Sequence, residues 1–321
     1  MLSVGVLSTA SIVPRFIAAA QDSGCCRVAA IASRSEAAAQ QMAERFGIAK
    51  AFGSYEALLA EPGVDAVYVA NISSEHALWT KKALQAGRHV LCEKPFALEP
   101  RQAEESFALA REKGLFVMEM QKAVFLPVIA EIRRAVRQGD VGRIFAAEFS
   151  SSFSSGYNDW FTDLSRGGGP WFSNAGYTAA LLQYLFDCPI ERAEGLCTRS
   201  SGTAEDQFSV TFSMANGVLA ACRSSTAVAL PNTAILYGER GTVEIPEFWK
   251  ARRAVIRADG KAPETLDYPC AHELIYEIRH AARCIAEGLT ESPVMTVERT
   301  VGTVRILHEV SEGWKQAGLI G

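Results

Sequence analysis

The sequence predicts an α/β protein, a doubly wound parallel sheet followed by an α+β domain with a large, mainly antiparallel open sheet. Three observations carry this expectation. Short apolar runs alternate with helix-period segments through roughly the first 120 residues, the pattern of a parallel sheet with helical crossovers. From Arg143 onward, apolar and polar residues alternate with period two, as in strands with one buried face. Two long helical segments then close the chain.

In the first half, residues 2–7 read as a strand and 11–21 as a helix. A second strand spans 27–32, and Ser35 caps a helix running to residue 46, its hydroxyl suited to the free amides there. A third strand, 65–70, feeds a helix over 75–86, and a fourth, 88–92, is followed by a helix over 99–113. The fifth, 115–118, precedes a helix over 126–138. In the second half, a strand at 144–151 enters a Ser/Gly-rich loop, 150–156, then Tyr157, Asn158, Asp159 and Trp160. Such a loop suits a sugar or cyclic diol; the equal alternative is that Trp160 and Phe161 simply anchor it in the core. Residues 170–186 are apolar enough for a helix packed between domains. Strands follow at 193–200, 204–214, 217–226, 232–238, 242–245 and 254–258, with helices at 271–287 and 296–315. Asn216-Gly217 reads as a type-I′ hairpin turn. The open sheet face of Ser, Thr and Ala offers a subunit contact or a solvated surface. His272 reads as a surface residue or one reaching a cleft.

A chain of 321 residues fits two domains, placed at 1–121 and 122–321, with the C-terminal helix free to pack back on the first. A net charge of −4 without a basic run argues against a nucleic-acid groove or an anionic-membrane patch. No apolar run nears the roughly 20 residues that span a bilayer, and the opening strand leaves no room for a signal peptide. The eight cysteines form no C-x-x-C pair and sit mostly in apolar segments. That usage predicts a cytoplasmic protein without disulfides or structural zinc. The five histidines lack metal-ligand spacing.

Ligands of open α/β sheets bind at the carboxyl edge. The first strand runs into Ser8, Thr9, Ala10, Ser11, Ile12 and Val13. A dinucleotide fingerprint has glycine at positions 8 and 10 and glycine or alanine at 13, and all three depart. The frame of strand, tight turn and helix N-terminus survives, so a phosphate site and a plain turn both fit. Ser33 and Arg34, after the second strand, suit the 2′-phosphate of NADP; a helix cap and a surface arginine are the alternative. Asn71, Ile72 and His76 follow the third strand. His89-Val90-Leu91-Cys92 runs into Glu93-Lys94-Pro95, placing Lys94 at the same edge or in a solvated turn.

The stretch from Val67 to His76 and the run Ala83-Leu-Gln-Ala-Gly-Arg-His-Val-Leu-Cys-Glu-Lys-Pro95 resemble the Gfo/Idh/MocA oxidoreductase family. So do Arg137 to Ile144, Trp160 through Gly169 to Tyr177, and Glu291-Ser-Pro-Val294. Met118-Glu119 and Phe125-Leu-Pro127 resemble the dihydrodiol dehydrogenase branch. The resemblance implies a Rossmann-type first domain, and a second domain that binds substrate and pairs into a homodimer through its sheet. It implies Lys94 as catalytic lysine, often with a cis Lys94–Pro95 bond, and Glu93 beside the nicotinamide ribose. Tyr177 would be the proton donor. Ser173 stands where the family often has Asp, with Asn174 beside it, and Asn71-Ile72 replaces a usual Thr-Pro. The implied activity is NAD(P)-dependent hydride transfer at a secondary alcohol or ketone of a sugar, cyclitol or cyclic trans-diol. NADP is the expected cofactor, with NAD as the alternative, and Ser8, Thr9, Ala10, Ser11, Ile12, Ser33, Arg34, Asn71, Ile72, His76, Glu93 and Lys94 would hold it. Trp160, Phe161, Ser173 and Asn174 would meet substrate. Two competing readings stand: a non-catalytic regulatory member with a degraded cofactor turn, and an enzyme that oxidises a sugar transiently to allow elimination.

Overall fold

The computed structural model describes residues 1–154 and 159–321, so Tyr157 and Asn158 lie outside the described residues. The chain divides into two compact units. One comprises Met1–Ala97, Arg101–Met120 and His272–Val297; the other comprises Leu98–Pro100, Gln121–Ala271 and Glu298–Gly321.

The first unit is built on β1 (Leu2–Leu7), α1 (Val13–Ser23), β2 (Cys26–Ala32), α2 (Glu36–Phe46), β3 (Lys50–Phe52) and α3 (Tyr55–Leu59). It continues with β4 (Ala66–Val69), α4 (His76–Gln85), β5 (His89–Glu93), α5 (Pro100–Lys113) and β6 (Val117–Met120). The strands pair in parallel in the order β3-β2-β1-β4-β5-β6. β4 is buried along its whole length, which is why Ala66-Val-Tyr-Val69 is unbroken apolar sequence rather than alternating. Strand order reverses between β1 and β4, and ligands of such sheets sit beyond that point. Two elements escape a periodicity reading. β3 has three residues and α3 has five, too few to show a period, although Ser54 caps α3 by accepting from Ala57 N at 3.2 Å.

The second unit contains α6 (Pro127–Gln138), β7 (Ile144–Ser152), α7 (Gly176–Phe186), β8 (Ile190–Thr198), β9 (Gln207–Met214), β10 (Leu219–Ser225) and β11 (Thr233–Gly238). β12 (Gly241–Pro246), β13 (Arg253–Ala258) and β14 (Glu264–Asp267) complete its sheet, whose order is β14-β13-β12-β11-β7-β10-β9-β8. All neighbours are antiparallel except β7 and β10. In β9, Phe208, Val210, Phe212 and Met214 are buried while Ser209 and Thr211 are exposed, the two-sided strand that alternation predicts. The chain ends with α8 (Ile275–Ala286), which packs beside α1, and α9 (Val297–Gln316).

The hairpin between β9 and β10 corrects one expectation. Gly217 has φ +86°, while Asn216 stays outside the left-handed region, so the turn is not type I′, which needs positive φ at both central residues. Met214 O accepts from Gly217 N at 2.8 Å, and Met214 N donates to Val218 O at 2.9 Å. This is a three-residue loop whose last residue, glycine, turns left-handed. His272 pairs with Asp22 at 3.2 Å. Among the described residues, no helix is long and apolar enough to cross a membrane.

At Gly195 on β8, an added Cβ would lie 2.0 Å from Ser209 O, a backbone atom of β9. Gly195→Ala is therefore expected to cost about 2–4 kcal/mol, read as a lower urea midpoint.

Candidate active site

At the carboxyl edge of the first unit, β1 ends in Ser8, whose φ is +106°. This is the position of the fingerprint's first glycine, and the backbone adopts a glycine-like conformation although the residue is serine. The Ser8 hydroxyl accepts from Ala10 N at 3.0 Å and so closes the turn on itself. Ser8 N donates to Ala32 O at 2.8 Å, locking it to β2. Thr9, Ala10, Ser11 and Ile12 then lead into α1, with Pro14 in its first turn where a missing amide is harmless. Ser33 is buried and accepts from Ser35 N at 3.3 Å, while Ser35 caps α2 through Ala38 N. Arg34 is exposed, and its charge and the Ser8 side chain both act on the Tyr55 phenol. Burial raises the Tyr55 pKa, with Arg34 and Ser8 opposing and Glu75 reinforcing it. Asn71 Nδ2 donates to Glu75 Oε2 at 2.9 Å, and Ile72 leads into the short 3-10 turn Ser73–Glu75. The ends of β1, β2 and β4 thus bring Ser8, Arg34 and Glu75 around Tyr55. A strand-end turn in a glycine-like conformation, an adjacent cation and serine hydroxyls fit a dinucleotide phosphate.

The turn after β5 is held more firmly. The Lys94–Pro95 peptide is cis. Fully buried His76 faces Pro95 O with Nδ1 at 2.7 Å and Asn71 O with Nε2 at 3.1 Å. It thereby ties the end of β4 to the end of β5. Burial lowers the His76 pKa, partly offset by those carbonyls and by Glu93. Glu119, 0 % exposed on β6, accepts from Phe96 N at 3.1 Å. Glu93 accepts from Tyr68 Oη at 2.6 Å and from Lys94 N at 3.2 Å, and Tyr68 is stacked on Phe16 with centroids 3.7 Å apart. Lys94 leaves this turn half-buried.

In the second unit, Ser173, Asn174 and Tyr177 lie on one continuous helical segment. It begins with a π turn, Trp171–Ala175, and continues as α7. Tyr177 is buried, and Lys122 Nζ lies 5.2 Å from its ring centre. Asn174 Nδ2 donates to Ser151 Oγ at 2.6 Å, and Ser151 Oγ meets Ser224 Oγ at 3.1 Å. Ser173 is half-buried. Trp160 stacks edge-on against Phe161, and buried Phe161 packs edge-on against Phe153.

The glycine run before this helix has a specific reason at two positions. An added Cβ at Gly168 would fall 2.4 Å from Phe161 O, and at Gly169, with φ +86°, 2.3 Å from Glu205 Oε1. Glu205 is 3 % exposed and accepts from Trp171 N at 2.6 Å. Its other oxygen has no partner among the described residues. Burial lifts its pKa to about 8, against the Trp171 amide and helped by Asp206.

Residues 2–121 match the family model for the Gfo/Idh/MocA oxidoreductases, described as an NAD-binding Rossmann fold, and residues 129–244 match the GFO/IDH/MocA C-terminal domain. The trans-1,2-dihydrobenzene-1,2-diol dehydrogenase of Mus musculus is 30% identical over 290 residues, covering 88% of this chain and 87% of the relative. The chain belongs to the Gfo/Idh/MocA family. The Xenopus tropicalis dehydrogenase of the same name is also 30% identical, over 295 residues, with 88% of each chain covered. A 3-ketoreductase from Actinomadura kijaniata, solved with NADP and TDP-benzene, superposes with TM-score 0.86 at 26% identity over 97% of both chains. An aldose–aldose oxidoreductase from Caulobacter crescentus shares the fold at TM-score 0.87, 21% identity and 98% coverage of both chains. The protein is thus an NAD(P)-dependent oxidoreductase acting on CH–OH groups, with NADP the fitting cofactor. The non-catalytic reading gives way to it.

Tyr55, Glu205 and Lys122 were not singled out in the sequence. Tyr55 sits on an element too short to read, and the other two acquire meaning only from partners far along the chain. Glu205 also sets a pH dependence. Its folded pKa is raised, so between about pH 4.5 and 8 the native state holds a proton that the unfolded chain releases, and stability falls as pH rises through that window. Glu205→Gln is expected to flatten this fall, by on the order of a few kcal/mol, seen by comparing melting temperatures of both proteins from pH 5 to 8.

Proposed function

We propose that this oxidoreductase catalyses reversible hydride transfer at a secondary carbinol carbon of a sugar, cyclitol or cyclic trans-diol, using NADP. Lys94 holds the reacting oxygen and Tyr177 carries its proton. The turn after β5 supports this most: His76 and Glu119 hold the Pro95–Phe96 peptide just after Lys94, and Glu93 accepts from Lys94 N, so the backbone that carries the lysine is fixed. Variants of the 3-ketoreductase with one lysine changed to alanine or glutamate, and with one tyrosine changed to phenylalanine, are also among the solved structures that match.

Ser8 through Ile12 would hold the pyrophosphate, Ser33 and Arg34 the 2′-phosphate, and Asn71, Ile72 and Glu93 the nicotinamide side, with buried His76 bracing the turn behind them. When bound, the cofactor accepts or supplies the hydride. The chain's own residues manage the charge and the proton. Lys94 stabilises the alkoxide character that develops on the substrate oxygen. In oxidation the Tyr177 phenolate takes the hydroxyl proton; in reduction the phenol returns one to the carbonyl oxygen. Ser173, in place of a carboxylate, leaves neutral donors and acceptors to meet substrate hydroxyls, with Asn174, Trp160 and Phe161 nearby in sequence.

We also place the protein in the cytoplasm, on its eight free cysteines. A homodimer through the second sheet is supported by Leu196 and Leu219, 71% and 54% exposed. Their register partners are Ser209 and Ser213, so both share one face with Thr211 and Ala221. Sedimentation should give a dimer mass that Leu219→Asp shifts toward monomer.

Nicotinamide fluorescence should report tighter binding of NADPH than NADH, weakened about 10-fold in Arg34→Ala. Lys94→Met and Tyr177→Phe should each lower kcat for trans-1,2-dihydrobenzene-1,2-diol oxidation at least about 100-fold. Normal turnover in either variant refutes the assigned role.

A further inference from the structure

Lys122 has no part in the roles above. It opens the turn Lys122–Phe125 and is only 6% exposed, and lysine is rarely buried unless its charge is put to use. Its Nζ lies 5.2 Å from the centre of the Tyr177 ring, within the range of a cation–π contact. Its neighbour Gln121 is fully buried and donates from Nε2 to Gly176 O at 3.2 Å. Gly176 directly precedes Tyr177. One dipeptide therefore grips both the backbone before the tyrosine and the ring itself.

Other elements also line the start of α7. α9 presents Thr303 and Leu307 toward Gly176. β10 presents Cys222, bonded to Thr178 at 3.3 Å, and burial lifts that thiol to about 12 and keeps it neutral. Arg133 and Arg299 stand over Tyr184, about two helical turns further on.

We propose that Lys122 is a positioning residue that acts through Tyr177, fixing its ring and favouring the phenolate form that proton transfer requires. The proposal rests on the reading of Tyr177 as proton carrier. An ammonium beside the ring favours negative charge on the phenol oxygen. It helps the phenol release its proton in reduction and keeps phenolate available in oxidation.

The test uses the full-length enzyme, with NADP-linked oxidation of trans-1,2-dihydrobenzene-1,2-diol as probe. Lys122→Met should lower kcat about 10-fold while KM and NADPH affinity stay within about 2-fold. It should also move the rise of kcat with pH upward by about one unit, and Lys122→Arg should restore most of both. Tyrosinate absorbance reads the same bias without turnover: Lys122→Met minus Lys122→Met/Tyr177→Phe should titrate at higher pH than wild type minus Tyr177→Phe. Lys122→Gln replaces the methionine variant if that one fails to fold. An unchanged kcat and pH profile in Lys122→Met overturns the proposal. So do equal losses in the methionine and arginine variants with a lowered melting temperature, which would mark a packing role. A Tyr177→Phe enzyme with wild-type turnover overturns the reading of Tyr177 and this inference with it. An inactive Tyr177→Phe beside an unaffected Lys122→Met overturns this inference alone.

Discussion

The immobility of the turn that follows β5 is the constraint on which the first unit depends. A lysine there is useful only if its ammonium has one address, and the backbone around it is held from two directions. The neutral His76 ring has one N–H to give to the two carbonyls it faces, the shorter contact being 2.7 Å to Pro95 O, and Glu119 accepts from Phe96 N. Both are fully buried polar groups, and such groups are expensive unless hydrogen-bonded. Each meets a backbone atom of the turn, Pro95 O for His76 and Phe96 N for Glu119. Parallel pairing of β4, β5 and β6 brings them to one edge, because all three strands end on the same side.

The second unit uses a buried carboxyl in a similar way. Glu205 meets the first amide of the helical segment that carries Ser173, Asn174 and Tyr177. Gly169 leaves it room, and Gly168 lets the chain pass against Phe161 O. A helix N-terminus favours negative charge, yet burial wins here and keeps the carboxyl protonated through neutral pH. Ring contacts of Trp171 with Phe208 and Trp314 extend that anchor into the sheet.

The architecture was largely legible in the sequence because its strands announce themselves in two ways. Buried parallel strands such as Ala66–Val69 are unbroken apolar runs, and β9 alternates residue by residue. What escaped was short or non-local. β3 and α3 have three and five residues, less than a readable period, and β14 has one apolar residue among its four. The Asn216-Gly217 pair is a common type-I′ signal, but one extra loop residue moved the left-handed conformation to glycine alone. At the candidate site, the edge positions of Ser8, Arg34, His76, Glu93 and Lys94 follow from strand ends. Glu205 and Lys122 do not, since their partners lie 34 residues away at Trp171 and at Tyr177 on another element.

Ser8 carries a consequence for how the phosphate turn works. Holding a serine at φ +106° stores strain on the order of 1–3 kcal/mol. The hydroxyl bond to Ala10 N offsets part of it and closes the loop before any ligand arrives. A glycine-rich turn stays supple and loses its freedom when it wraps a pyrophosphate. Here that loss is taken during folding, so the turn meets its ligand already shaped. Fewer glycines in this turn therefore mean preorganisation rather than decay.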